Sequence, residues 1–169
     1  MDNLENKITV IVETPRGCGH KYDYDAATNQ FRLKKLLPAG MVFPFDFGFI
    51  PNTVGGDGDP LDVLIISEIS TFPGCVIDCR LIGAFKVEQT GPDGRRYRND
   101  RLLAVPVVSK IFTDLHDAAQ LPHSLTDQIE AFFTNYNRLE SKEFNLMERL
   151  GAEGAMELVN KAIAGDGQV

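Results

Sequence analysis

The feature that most constrains this chain is a short acidic run, Gly55-Gly56-Asp57-Gly58-Asp59-Pro60-Leu61-Asp62, followed at once by the apolar stretch Val63-Leu64-Ile65-Ile66. Three carboxylates lie within six residues. Glycines before and among them and a proline with a fixed φ crowd the acids at the mouth of a buried strand. Carboxylates this close repel one another unless a cation neutralises them. Oxygen ligands with no Cys or His nearby favour Mg²⁺ or Mn²⁺ over zinc, and magnesium commonly arrives with a phosphate-bearing substrate. The same residue types also build ordinary surface turns. A calcium loop is a further alternative, with Asp57 first, Asp59 third and Glu68 twelfth. It fails because Asp62 stands where the loop's glycine belongs and a strand, not a helix, follows.

With 169 residues and 43% hydrophobic content, the chain is predicted to form a single domain over 1–169 with a substantial core. A formal charge of −7 argues against nucleic-acid binding through a basic face. An anionic substrate must then be met by a local positive patch or by bound cations. The cysteines, Cys18, Cys75 and Cys79, are odd in number and lack zinc-type spacing, as expected of reduced thiols. The polar start, Met1 to Asn6, and the absence of an apolar run of ~18 residues predict no leader, no membrane span and a cytoplasmic location.

Residues 7–13 are rich in β-branched side chains and predict a strand ending at Glu13. After a turn at 15–19, His20 to Asp25 alternates so that Lys21, Asp23 and Asp25 share one face. These two segments are expected to form a hairpin that carries Glu13, Lys21 and Asp23 to one surface; a solvated polar face is the plainer explanation of that pattern. Strands are also predicted over 30–37, over 75–88 with a bulge near Gly83, and over 101–108. Two prolines and a glycine in Phe43 to Pro51 predict a bend, placed as one wall of the acidic pocket, in place of a regular central strand. Gly91-Pro92-Asp93-Gly94 predicts a turn, beside Arg95, Arg96, Arg98 and Arg101. Successive short strands without intervening helices indicate a mainly β fold, a small antiparallel barrel. Two C-terminal helices flank it. One is capped at Ser124 and faces the barrel with Leu125, Ile129, Phe132, Phe133, Tyr136 and Leu139; the other runs over 154–164. His20, His116 and His123 show no metal-ligand spacing and are expected on the surface or in loops.

Taken together, positions 8 to 145 resemble the soluble family I inorganic pyrophosphatases. Asp57-Gly58-Asp59-Pro60-Leu61-Asp62 fits the family's Asp-x-Asp-Pro-apolar-Asp signature. Glu13 to Gly17 before Lys21-Tyr22, the segment Phe43 to Pro51, the strand Leu102 to Pro106, and Phe132-Phe133 before Tyr136 add to it. The resemblance implies an OB-like barrel and Mg²⁺-dependent hydrolysis of inorganic pyrophosphate, with Mn²⁺ as an alternative metal. It also implies a homo-oligomer, since bacterial members are commonly hexamers. It assigns Asp57 and Asp62 to the metals, with Asp62 bridging, and Asp59 to the metal site as acceptor of the nucleophile's proton. Lys21, Lys35, Arg101 and Tyr136 fall at positions that hold phosphate, near Glu13 and Asp23.

Several positions depart from the family pattern. Lys35 replaces an arginine and so loses the bidentate fork, Asp23 replaces a glutamate, and Asn137 replaces a phosphate-binding lysine. Phe43, Asp46 and Phe47 stand where the family has two tyrosines and an asparagine. Two further metal-binding aspartates are expected between Lys86 and Arg101. Counting back from Arg101 puts Asn99 at the second, a one-residue slip puts Asp100 there, and Glu88 and Asp93 are the candidates for the first. Three functions remain open at this point: hydrolysis of pyrophosphate, hydrolysis of an organic diphosphate, or metal and phosphate binding without useful turnover.

Overall fold

The computed structural model describes residues 6–163. In chain order its strands are β1 (Lys7–Thr14), β2 (His20–Asp25), β3 (Gln30–Leu36), β4 (Asp46–Phe49), β5 (Asp62–Ile65), β6 (Val76–Thr90), β7 (Arg96–Arg98), β8 (Arg101–Pro106) and β9 (Glu143–Gly151). Helix α1 (His123–Arg138) precedes β9, and α2 (Ala152–Ile163) follows it. Strands β1, β4, β5, β8 and β6 pair in that order, and β6 returns to β1, so the sheet closes into a ring. β7 and β9 extend from β6, while β2 and β3 form a separate hairpin. No described helix is long and apolar enough to cross a membrane.

The apolar strands β5 and β8 are covered on both sides, which is why they read as continuous hydrophobic runs. Val63, Ile65, Leu102 and Ala104 join a core cluster with Leu158 and Val159 of α2. Leu64, Ile66, Leu103 and Val105 join a second cluster with Ile129, Phe133 and Tyr136 of α1. The end of β5 is therefore gripped from both faces. Asp62, its first residue, is held on a rigid support.

Several expectations change. The barrel is not wholly antiparallel: β5 and β8 run parallel with Asp62 opposite Arg101, because the long β6–β7 excursion returns the chain in the same direction. The hairpin expected between β1 and β2 forms between β2 and β3, with His20 opposite Leu36 and Asp25 opposite Gln30. The bend from Phe43 to Pro51 contains the central strand β4, whose ends stop short of both prolines. Gly48 permits this, since a Cβ there would sit 2.2 Å from the Ile11 carbonyl oxygen across β1. Pro122, not Ser124, is the N-cap of α1, with no side-chain cap bond, and Leu139 lies beyond the helix end and is exposed. The strand β9 was not legible in the sequence: most of its side chains face solvent, and a shift in its pairing with β6 between Lys86 and Val87 breaks the period-2 pattern. Helix α2 begins at Ala152, where the Asp117 carboxylate accepts the Ala152 N–H at 2.9 Å; Ala164 lies outside the described residues.

Candidate active site

One cavity of about 1680 Å³ lies between the acidic loop, the β2–β3 hairpin, the end of α1 and the β6–β7 turn. It gathers Glu13, Lys21, Asp23, Lys35, Asp57, Asp59, Asp62, Asn99, Arg101 and Tyr136 from segments far apart in the chain. Phe43 and Phe47 form part of its wall. Asp100 is not brought to it. That side chain is buried elsewhere, accepting the Val87 N–H at 2.8 Å and an Arg98 fork whose closest bond is 2.8 Å. Asn99 is therefore the residue of that pair that faces the cavity, and it carries no charge. Asp46 also turns away: its carboxylate ties the Arg16 N–H at 2.7 Å and the Thr71 N–H at 3.0 Å. Neither Glu88 nor Asp100 lines the cavity, whereas Asp93 stands at its outer turn.

The cavity's charges are arranged in pairs with a deliberate remainder. Lys21 holds Asp23 at 2.9 Å, Arg101 holds Asp62 at 2.7 Å, and Lys35 pairs with Glu140 while lying 4.3 Å above the Tyr136 ring. The remainder is acidic. The surrounding walls push the Asp57 carboxyl up to about 6, with Asp62 and Asp59 adding repulsion, even though its tip reaches solvent. Burial likewise raises Asp62, against the pull of Arg101 and Lys21. Glu13 is pushed up to about 7 by burial; the Tyr24 N–H bonded to it offsets part of this, and Asp62 adds to it.

Glu13 gives a pH prediction whose sign is fixed. Its folded pKa lies above the ordinary 4.5, so the stability it contributes is complete below pH 4.5 and is lost as pH rises through about 7. Metal-free protein is expected to be on the order of 3 kcal/mol less stable at pH 8 than at pH 5 through this group. Urea midpoints at both values, with chelator present, should show the loss shrinking in Glu13→Gln; an undiminished loss in that variant would assign it to other groups.

The donors fit a hard divalent cation. Asp57 and Asp62 keep oxygens free toward the cavity, beside Asp59 on its rim, and Mg²⁺ is commonly held by one or two carboxylates completed by water and substrate phosphate. Among the described residues no three His, Cys, Asp or Glu side chains form a ready-made metal cage. Opposite, the Tyr136 hydroxyl is buried with no partner among the described residues, its pKa pushed up to about 12 chiefly by burial. An unsatisfied buried donor costs about 1–3 kcal/mol, so it calls for an incoming acceptor.

The inorganic pyrophosphatase family model matches residues 10–165. The chain belongs to this family. It is 36% identical over 157 residues to the inorganic pyrophosphatase of Halalkalibacterium halodurans, covering 93% of each chain. It is 35% identical over 162 residues to that of Geobacillus stearothermophilus, covering 95% of each. The crystal structure of inorganic pyrophosphatase from Thermus thermophilus superposes with a TM-score of 0.87 at 30% identity, covering 98% of this chain and 94% of that one. The ring-closed barrel is the OB-like fold of these pyrophosphatases.

The sequence did not expose Gln89. It is buried at the end of β6, where its side-chain oxygen accepts from Asn99 at 2.9 Å and its amide group donates to Asn137. A glutamine next to a turn carries no sequence signal for this. Asn137 is likewise buried, and its amide group donates to the Phe133 carbonyl at 2.8 Å. It therefore braces α1 and does not reach toward substrate as a lysine would.

Proposed function

We infer that this protein hydrolyses inorganic pyrophosphate to two phosphates with Mg²⁺, Mn²⁺ serving in its place. The chain is an inorganic diphosphatase that depends on divalent metal. The observation that carries the reading is one cavity in which Asp57, Asp59 and Asp62 face Lys21, Lys35 and the unpartnered Tyr136 hydroxyl. Such a cavity is polarised to receive a cation on one side and phosphate oxygens on the other.

Asp57 and Asp62 would hold the cation. When bound, it neutralises phosphate oxygens and makes water acidic enough to supply hydroxide near neutral pH. Asp59, on the exposed rim, accepts the proton of the attacking water. Lys21 and Tyr136 grip the phosphoryl oxygens, and Lys35 joins them once it leaves Glu140. Most of the rate then comes from positioning and charge.

Glu140 competes with substrate for Lys35. Glu140→Gln is expected to lower KM for pyrophosphate about threefold, the scale of a half-exposed ion pair. Steady-state rates across substrate concentration check this; a raised KM would show that Glu140 holds Lys35 in place instead.

The cavity's width favours a second reading. It extends outward to Arg95, Arg96 and Tyr97, well beyond the span of pyrophosphate, and could admit an organic group on a diphosphate. Assembly belongs to the same proposal. Ile69, Phe72, Val108 and Ile111 are exposed on loops tied together by Glu68 bonds to Ser109 and Lys110, a surface suited to a second copy in a homo-oligomer, by resemblance a hexamer. The free thiols of Cys18, Cys75 and Cys79 suit a cytoplasmic location. The test is phosphate release from pyrophosphate with Mg²⁺ and then Mn²⁺. Two phosphates per substrate, abolished by chelator, support the reading, and no release with either metal removes it.

A further inference from the structure

Arg101 is buried and anchored through one end of its guanidinium. The residue is 5% exposed; one terminal nitrogen donates to Asp62 Oδ2 at 2.7 Å, to the Asn99 carbonyl at 3.2 Å and to Asn99 Oδ1, while Nε is buried with no acceptor among the described residues. The guanidinium carbon lies 5.2 Å from the Phe133 ring centre and 6.0 Å from that of Phe47, within cation–π range. Behind Asn99 the amides form a chain of one polarity. Asn99 donates to Gln89, Gln89 to Asn137, and Asn137 to the Phe133 carbonyl. Each carbonyl therefore points back toward the guanidinium, and each donor points away. This row of dipoles stabilises a positive charge at Arg101 and commits the Asn99 side-chain oxygen to it.

We propose that Arg101 is a built-in cation of the site: its guanidinium supplies at Asp62 and Asn99 the charge that a second divalent ion would bring. The substrate-free protein accordingly takes up a single divalent ion, at Asp57 and the free oxygen of Asp62. The proposal deepens the pyrophosphatase reading and rests on it. Charge balance supports it. The three aspartates of the acidic loop, set against Arg101, leave two negative charges, which one divalent ion cancels; a second ion would give these four groups an excess of two positive charges. Further ions then enter only with pyrophosphate, which carries the charge to hold them.

The test is equilibrium dialysis of the full chain against Mn²⁺ without substrate, with free Mn²⁺ read by electron paramagnetic resonance. The wild type is expected to saturate at one Mn²⁺ per chain. Asn99→Asp alone should remain at one, because Arg101 pairs with the added carboxylate. Asn99→Asp combined with Arg101→Met should rise to two, methionine filling the slot between the phenylalanines without charge. Saturation of the wild type at none, or at two or more, overturns the proposal, as does a folded double variant that stays at one. If the double variant does not fold, the wild type and Asn99→Asp decide the matter. Phosphate release assayed alongside separates the two levels. Turnover with two Mn²⁺ on the wild type sinks only the role of Arg101, and one Mn²⁺ without turnover sinks only the assigned reaction.

Discussion

Asp59→Asn is expected to lower phosphate release from pyrophosphate by on the order of 10²- to 10³-fold while leaving the unfolding midpoint nearly unchanged. The two halves of this prediction come from one fact. Asp59 stands exposed on the rim of the acidic loop, where it supports no packing, and the loop's shape depends on its backbone instead: the Asp59 N–H donates to Asp57 at 3.0 Å, and its carbonyl accepts the Gly55 N–H at 2.7 Å. Both bonds survive the substitution. What disappears is a carboxylate that can accept a proton from water beside the cation. The comparison to make is kcat at saturating Mg²⁺ together with a urea midpoint. A variant with near-normal kcat would remove Asp59 from proton acceptance, and a large fall in midpoint would mean that its side chain holds the loop.

Asp100→Ala should behave in the opposite way. The carboxylate is fully buried, accepts the Val87 N–H and takes an Arg98 fork. Alanine leaves a buried N–H without an acceptor and a largely buried guanidinium without a counter-charge. The expected loss is about 4 kcal/mol, a fall in Tm of at least about 8 °C for a chain of this size. KM for pyrophosphate and Mn²⁺ affinity, measured at a temperature where the variant is folded, should stay close to the wild type. If Mn²⁺ affinity collapses while Tm holds, Asp100 is a ligand after all.

The contrast between these neighbours in role explains how far the sequence could be read. The acidic run was legible because unpaired carboxylates cost stability, so three of them framed by Gly and Pro before an apolar strand demand a cation or a turn. Strand β1 was legible through its β-branched side chains, β6 as a long strand-like run with a bulge near Gly83, and the amphipathic helix α1 through its hydrophobic period. Residues 99 and 100 were not separable that way. In a strand a one-residue slip turns a side chain to the opposite face, and only the observed pairing of Glu88 with Arg98 and Phe85 with Arg101 fixes which of the two meets the cavity. The parallel pairing of β5 with β8 escaped for a related reason: it is set by the path of the intervening chain, not by the composition of either strand. It is also what places Asp62 beside Arg101. Asp46, which stands where the family has an asparagine, carries no sign in the sequence of its direction, and here it closes a loop through Arg16 and Thr71.

The most direct test of the central claim compares initial phosphate release from inorganic pyrophosphate with that from a nucleoside diphosphate at the same Mg²⁺ concentration. The account predicts metal-dependent release from pyrophosphate exceeding that from the nucleotide at least about 100-fold, because Lys21, Lys35 and Tyr136, the groups proposed to grip phosphate, surround only the inner part of the cavity. Faster release from the nucleoside diphosphate, or none from pyrophosphate at any Mg²⁺ concentration, would contradict it.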